Sequence, residues 1–158
     1  MEPNSWGSAE GFKGFLPIPF ENVVYSFHMY TPFTYTHQGV DHPAPSLRYP
    51  GPIDGQQWDR EAMKKSLAPA IDFAATYRVH LYVGEFSAIR WAPGAETYLA
   101  DLIAIFESQG WDWSYHAFRE WQGWNLELGT DRDDLVPRPE SSARLKVILE
   151  GFKKNGAR

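Results

Sequence analysis

Cysteine is absent from the 158 residues. With it go disulfides, thiolate-bound zinc, iron–sulfur clusters and thiol nucleophiles. No window of about 18 apolar residues exists, so no segment reads as a membrane-spanning helix. The opening Met1-Glu2-Pro3-Asn4 has neither a basic nor an apolar stretch, and no signal peptide is expected from it. Positive charge is short: 15 Lys and Arg stand against 20 Asp and Glu, a net charge of −5, with no basic run. That balance excludes nucleic acid as an expected partner. No glycine-rich phosphate fingerprint follows a predicted strand, and there is no internal repeat. What the chain does have is aromatic surface: seven Trp, eight Tyr and ten Phe. Flat amphipathic rings serve in cores and wherever a ring-shaped ligand is stacked. With 43% hydrophobic and 22% charged residues, a mass of 18.1 kDa suits one globular domain, expected over residues 1–158.

Residues 1–20 show no period and read as loop. Residues 21–30 are β-branched and aromatic and read as a buried strand. A proline-rich connection of about 25 residues follows over 31–57, a length that is usually functional or disordered. A helix is predicted from Trp58 or Asp59, with Asp59 as N-cap and Met63, Leu67, Ile71 and Ala74 at helical spacing. Pro69 is predicted to kink or break it. A second strand is predicted over 79–86. A second helix follows from Ala95 to Ser108, with Leu99, Leu102, Ile103 and Phe106 on one face and Gly110 just past its end. A third strand is predicted from Trp111 to Phe118, then an irregular segment over 119–139. The last helix is predicted from Ser141 to Asn155, with Leu145, Ile148, Leu149 and Phe152 inward and Gly156 after it. Alternating strands and helices imply an α/β fold with a parallel sheet and right-handed crossovers. Three such units are too few to close a (β/α)₈ barrel, which takes about 250 residues.

In parallel α/β folds the ligand site lies at the carboxyl ends of the strands. The first predicted strand ends in His28 and Tyr30, two apart and so on one face. The second ends in Gly84-Glu85-Phe86, and the third in His116, Arg119, Glu120 and Trp121. Taken singly, Glu85 is an ordinary surface charge, His28 a core histidine, and Trp121 and Trp124 packing residues. Together they bring a carboxylate, an imidazole, a phenol and indoles to one rim. That set suits sugar hydrolysis, in which a carboxylate attacks the anomeric carbon and an aromatic platform stacks the pyranose.

At these motifs the chain resembles the C-terminal part of glycoside hydrolase family 5, the cellulase and endoglucanase type of clan A. Val23 to Tyr30 matches strand six, Val83-Gly84-Glu85-Phe86 strand seven, and Trp111 to Phe118 strand eight, with 57 positions from His28 to Glu85. The resemblance covers nearly the whole chain. It implies a partial (half) TIM (β/α)₈ barrel running from about strand five to helix eight. It implies Glu85 as nucleophile of a retaining mechanism, Tyr30 as its hydrogen-bond donor, and His28 beside the cleaved bond. Trp121 matches the aromatic of strand eight that stacks the sugar, with Phe118 as the alternative, and Trp6 is a further substrate-binding candidate. The implied ligand is a β-glucan or related polysaccharide, with no cofactor and an extracellular or periplasmic setting.

One family feature is missing. The general acid/base is a Glu in Asn-Glu-Pro closing strand four, and no Asn-Glu-Pro occurs here. Met1-Glu2-Pro3 stands only 26 residues ahead of His28, too close for strand four, so Glu2 to Gly7 is read as the tail of strand five. The chain then reads as a fragment, or as a gene beginning mid-barrel. Half a barrel exposes sheet edges and lining, so a homo-oligomer closing those edges is expected, with hydrolysis weak or absent in the chain alone. A non-catalytic, self-associating fragment that at most binds β-glucan is the competing expectation. A histidine metal site is a third: of His28, His37, His42, His80 and His116 no pair has helical i, i+4 spacing, and His37 and His42 sit in the proline-rich connection, where a surface metal is conceivable.

Overall fold

The computed structural model describes residues 1–41 and 46–154. In chain order the regular elements are β1 (Tyr25–Met29), α1 (Phe33–Thr36), β2 (Gly51–Ile53), β3 (Gln56–Trp58), α2 (Arg60–Ser66), α3 (Ala68–Tyr77), β4 (Leu81–Phe86), α4 (Ala95–Gln109), β5 (Asp112–Trp113) and α5 (Ala143–Phe152). Along β1, Tyr25, Phe27 and Met29 are buried while Ser26 and His28 are half-buried. This is the two-residue alternation of a strand covered by helices on one side. The sheet order is β1-β4-β5, all parallel. Ahead of β1, residues 1–8 run along its free edge. Ser26 N–H donates to Met1 O at 2.8 Å, His28 N–H donates to Gly7 O at 2.7 Å, and Ser8 bridges His28 in parallel. The segment therefore lies where the tail of a preceding parallel strand belongs. Before β1 the chain also forms a 3₁₀ turn, Ala9–Phe12, whose Phe12 is buried against Phe73.

Local chemistry decides several boundaries. Asp59 caps α2 by accepting from Ala62 N–H at 2.9 Å. The helical run breaks at Leu67, and Pro69 sits in the first turn of α3, where its missing N–H costs nothing. Gly110 ends α4 with φ +69°. Leu99, Leu102, Ile103 and Phe106 of α4 are all buried.

Three expectations are corrected. The connection 31–57 contains α1 and an antiparallel hairpin of β2 and β3. Asp54 and Gly55 turn it with φ +52° and +77°, the geometry that suits a two-residue hairpin loop. The third strand has a regular ladder only over Asp112–Trp113. Ser114 and His116 N–H still bond to Val83 O and Phe86 O, so the chain follows β4 to its end without strand geometry. In α5 the inward stripe is Arg144, Ile148 and Gly151, and Leu149 and Phe152 are exposed. Ser142 caps this helix by accepting from Leu145 N–H. Asn155, Gly156 and His42 lie outside the described residues.

Candidate functional site

The carboxyl ends of β1 and β4 meet through an irregularity. Phe27 pairs with Val83, but His28 pairs with Glu85, so Gly84 is the extra residue of a bulge. Plain alternation from Leu81 and Val83 would send Glu85 into the helix-covered core. The bulge shifts the phase by one, leaves Phe86 fully buried, and turns Glu85 onto the face of His28. Gly84 carries no side chain for a steric reason: a Cβ there would come within 2.6 Å of Ser26 Oγ. Its carbonyl accepts from Ser114 Oγ at 2.6 Å, and Ser114 in turn accepts from Tyr82 Oη at 2.8 Å. The strand end is thus held from the β5 side.

Around Glu85, Tyr30 Oη donates to Oε2 at 2.9 Å, and His28 Nδ1 lies 3.7 Å from the same oxygen. Burial, then the hydrogen bond to Glu85, push the Tyr30 hydroxyl well above the usual phenol range. Tyr30 therefore stays protonated and donates. Its backbone is held by Thr36, whose hydroxyl donates to Tyr30 O at 2.7 Å. Tyr98, fully buried, donates to Thr31 O. Beside this group is a cavity of about 570 Å³ lined by Ser5, Trp6, His28, Tyr30, Phe33 and His37 among others. Its walls are mainly aromatic, the surface a sugar ring stacks on.

The residues singled out from the sequence distribute as follows. Glu85, Tyr30 and His28 come together. Trp6 is 98% exposed at the mouth of the cavity. Trp121 packs edge-on against Trp91 and Trp124, and its ring lies over Gly123, where a Cβ would meet it at 2.1 Å. Phe118 is half-exposed beneath the Arg119 guanidinium. Arg119 itself pairs with Glu127 through two bonds of 2.7 and 2.9 Å. His116 pairs with Glu120 at 3.3 Å, and His80 with Asp112 at 2.8 Å.

Phe33 escaped the sequence reading, and His37 and Glu2 were given no place at the site by it. His37 lies in the proline-rich connection, stacked on Phe33 with centroids 3.8 Å apart and edge-on to Trp124. Burial lowers it to about 4, so its ring is neutral at pH 7. Trp124, Tyr30 and His37 form one aromatic wall. Glu2 also reaches the site: its Oε1 is 3.2 Å from His28 Nε2 and accepts from Ser26 Oγ at 3.1 Å. Only the register of residues 1–8 against β1 puts it there, and nothing local in the sequence signals that. Among the described residues no group of three or more His, Asp or Glu is disposed to hold a metal ion. No helix among them is long and apolar enough to cross a membrane.

No family model matches the chain. Among curated proteins, endoglucanase C of Acetivibrio thermocellus is 27% identical over an alignment of 146 residues that takes in 71% of this chain and 41% of that protein. The chain thus spans less than half the length of the curated relatives it matches. Among solved structures, Thermotoga maritima Cel5A in complex with cellobiose superposes with a TM-score of 0.68 at 21% identity, covering 91% of this chain and 45% of that one. The cellulose synthase subunit Z of Clostridioides difficile superposes with a TM-score of 0.73 at 16% identity, covering 94% and 48%. The fold is therefore a partial (β/α)₈ barrel, as the motifs imply, and its relatives are endoglucanases of the cellulase type.

Proposed function

We propose that this chain carries the nucleophile side of a retaining β-glucanase site, with Glu85 as the attacking carboxylate. The observation that carries the reading is the contact of Tyr30 Oη with Glu85 Oε2 at 2.9 Å, at paired strand ends beside an aromatic cavity. A tyrosine held protonated fixes one carboxylate oxygen and leaves the other to attack the anomeric carbon. The glycosidic C–O bond breaks as the new ester C–O bond forms, and the departing oxygen keeps the electron pair. Water then cleaves the ester.

The departing oxygen of an ordinary glucan needs a proton. In the family a second carboxyl about 5–5.5 Å from the nucleophile supplies it. Without an Asn-Glu-Pro glutamate the chain alone forfeits about 10²–10⁴-fold of that assistance. Hydrolysis of unactivated glucan by the chain alone is therefore weak or nil, and rises when a second barrel half supplies the acid. The ligand we propose is a β-glucan or related polysaccharide, stacked on the rim by Trp121, Phe118 and Trp6. The relation to endoglucanases and the cellobiose complex of the solved neighbour support this class.

A leaving group that needs no proton isolates the nucleophile. Incubation with a 2-deoxy-2-fluoro cellobioside bearing dinitrophenolate is expected to add one fluorocellobiosyl unit, read as intact mass and mapped to Glu85. Glu85→Gln is expected to abolish the adduct while leaving the circular dichroism spectrum unchanged. Absence of the adduct, or its survival in Glu85→Gln, overturns the reading. The second reading, a glucan-binding fragment without turnover, is favoured by the lack of Asn-Glu-Pro. It predicts cello-oligosaccharide binding with no adduct.

A further inference from the structure

We infer that Glu2 is a positioning residue for His28: it accepts the Nε2 proton, fixes the tautomer of the imidazole, and turns the lone pair of Nδ1 toward the reaction site. The role deepens the reading above and rests on it for its catalytic consequence.

The two ring nitrogens face carboxylates at different distances. A neutral imidazole has one N–H and one lone pair, and the partner of one nitrogen decides the state of the other. Glu2 Oε1 stands 3.2 Å from Nε2, within hydrogen-bond range. Glu85 Oε2 stands 3.7 Å from Nδ1, beyond it. The shorter contact takes the proton. Nδ1 is then an acceptor next to Glu85, and it does not compete with Tyr30 for the carboxylate lone pairs. A ligand hydroxyl entering the cavity meets an acceptor at Nδ1.

Glu2 is placed by several independent contacts. Ser26 Oγ donates to the same Oε1 at 3.1 Å, which orients the carboxylate from below. The backbone of residues 1–8 is tied to β1 by Ser26 N–H to Met1 O and His28 N–H to Gly7 O. Gly84 acts on the pair through Ser26: a Cβ there would come within 2.6 Å of Ser26 Oγ, the hydroxyl that donates to Glu2, while reaching Glu2 Oε1 and His28 Cδ2 only at ordinary contact distances of 3.8 and 3.7 Å. The glycine of the bulge that turns Glu85 onto the face of His28 thus also leaves room for the hydroxyl that holds Glu2. One continuous chain results, Ser26–Glu2–His28, ending at the carboxylate that Tyr30 holds.

The test reads the tautomer directly. Long-range ¹H–¹⁵N correlation on the full chain at a pH where His28 is neutral is expected to show Nε2 protonated and Nδ1 unprotonated. Glu2→Met matches the length of the side chain and removes the acceptor; it is expected to convert His28 to a mixture of tautomers. Glu2→Gln keeps a carbonyl acceptor and is expected to retain the Nε2–H form. Labelling of Glu85 by the fluoro-cellobioside is expected to slow about 10- to 100-fold in Glu2→Met, and less in Glu2→Gln, as for loss of one hydrogen bond to a charged group. An Nδ1–H tautomer in the unaltered chain overturns the inference without recourse to any variant. So does an unchanged tautomer in a folded Glu2→Met. If the tautomers behave as expected and no variant labels at all, the positioning role stands and the nucleophile reading fails.

Discussion

At Tyr30 two demands meet in one side chain, since the ring closes the aromatic wall and the hydroxyl holds Glu85. Tyr30→Phe keeps the first and removes the second. Its expected effect is a labelling rate at Glu85 lower by about 10- to 100-fold, the worth of one hydrogen bond to a charged acceptor, with unfolding midpoint nearly unchanged. His37 gives a prediction of the opposite kind, in stability rather than rate. Burial holds its imidazole at about 4, against 6.5 in the unfolded chain, with Asp41 opposing weakly. Between those pH values the unfolded chain binds a proton that the native chain does not. Stability therefore rises with pH across that window, and the contribution is lost as pH falls through it toward 4. The ring keeps some solvent contact, so the full linkage is discounted to on the order of 1–2 kcal/mol. Urea midpoints measured from pH 4 to pH 7 should show the slope, and His37→Asn should flatten it.

The elements at the third strand end depend on two buried arginines. Arg90 is fully buried, and its guanidinium donates to the carbonyls of Gln122, Gly129, Asp131 and Arg132. Arg144 of α5 does the same for Ala88, Trp124 and Asn125, and also donates to Tyr115 Oη. Together they hold the irregular segment 122–132 by its carbonyls, and among the described residues no buried side-chain polar atom is left without a partner. Arg90→Leu leaves four carbonyls without their donor. The expected cost is about 3–5 kcal/mol in urea unfolding, with early proteolytic cleavage inside 119–139. This arrangement also marks where the sequence was legible. Asp59, Pro69 and Gly110 act on their own turn of chain, so their effects were readable directly. The burial of Arg144 rather than Leu149, the shortness of β5, and the face of Glu85 follow from distant partners and from the bulge at Gly84. Strand alternation alone sends Glu85 to the wrong side; the Gly-Glu-Phe motif, read as a resemblance, and not periodicity, pointed to it. Glu2 was set aside by the arithmetic of strand spacing, and only the register of residues 1–8 on β1 brings it to His28.

For the whole molecule, the half-open sheet has a consequence in solution. Among the described residues β1, β4 and β5 form the parallel sheet, and the face bearing Ser26, His28, Tyr82 and Glu85 is half-buried where a closed barrel would cover it. Large apolar side chains stand in water beside His28 and Tyr30, with Trp6 and Phe33 both more than half exposed. Open edges and apolar surface of this kind favour pairing with another chain. We propose that residues 1–158 fold as one unit and that copies associate to cover this side. A stable interface of standard size buries about 1,600 Å² in total, which half a barrel lining can supply. Sedimentation equilibrium at micromolar concentration should then give at least twice the 18.1 kDa of one chain. Thermal unfolding should be a single transition whose midpoint rises with protein concentration, because association with the native form adds to its stability by mass action. A concentration-independent midpoint with a mass of one chain would mean that the exposed lining is tolerated by the fold itself. The acid for unactivated glucans would then not come from a second copy of residues 1–158.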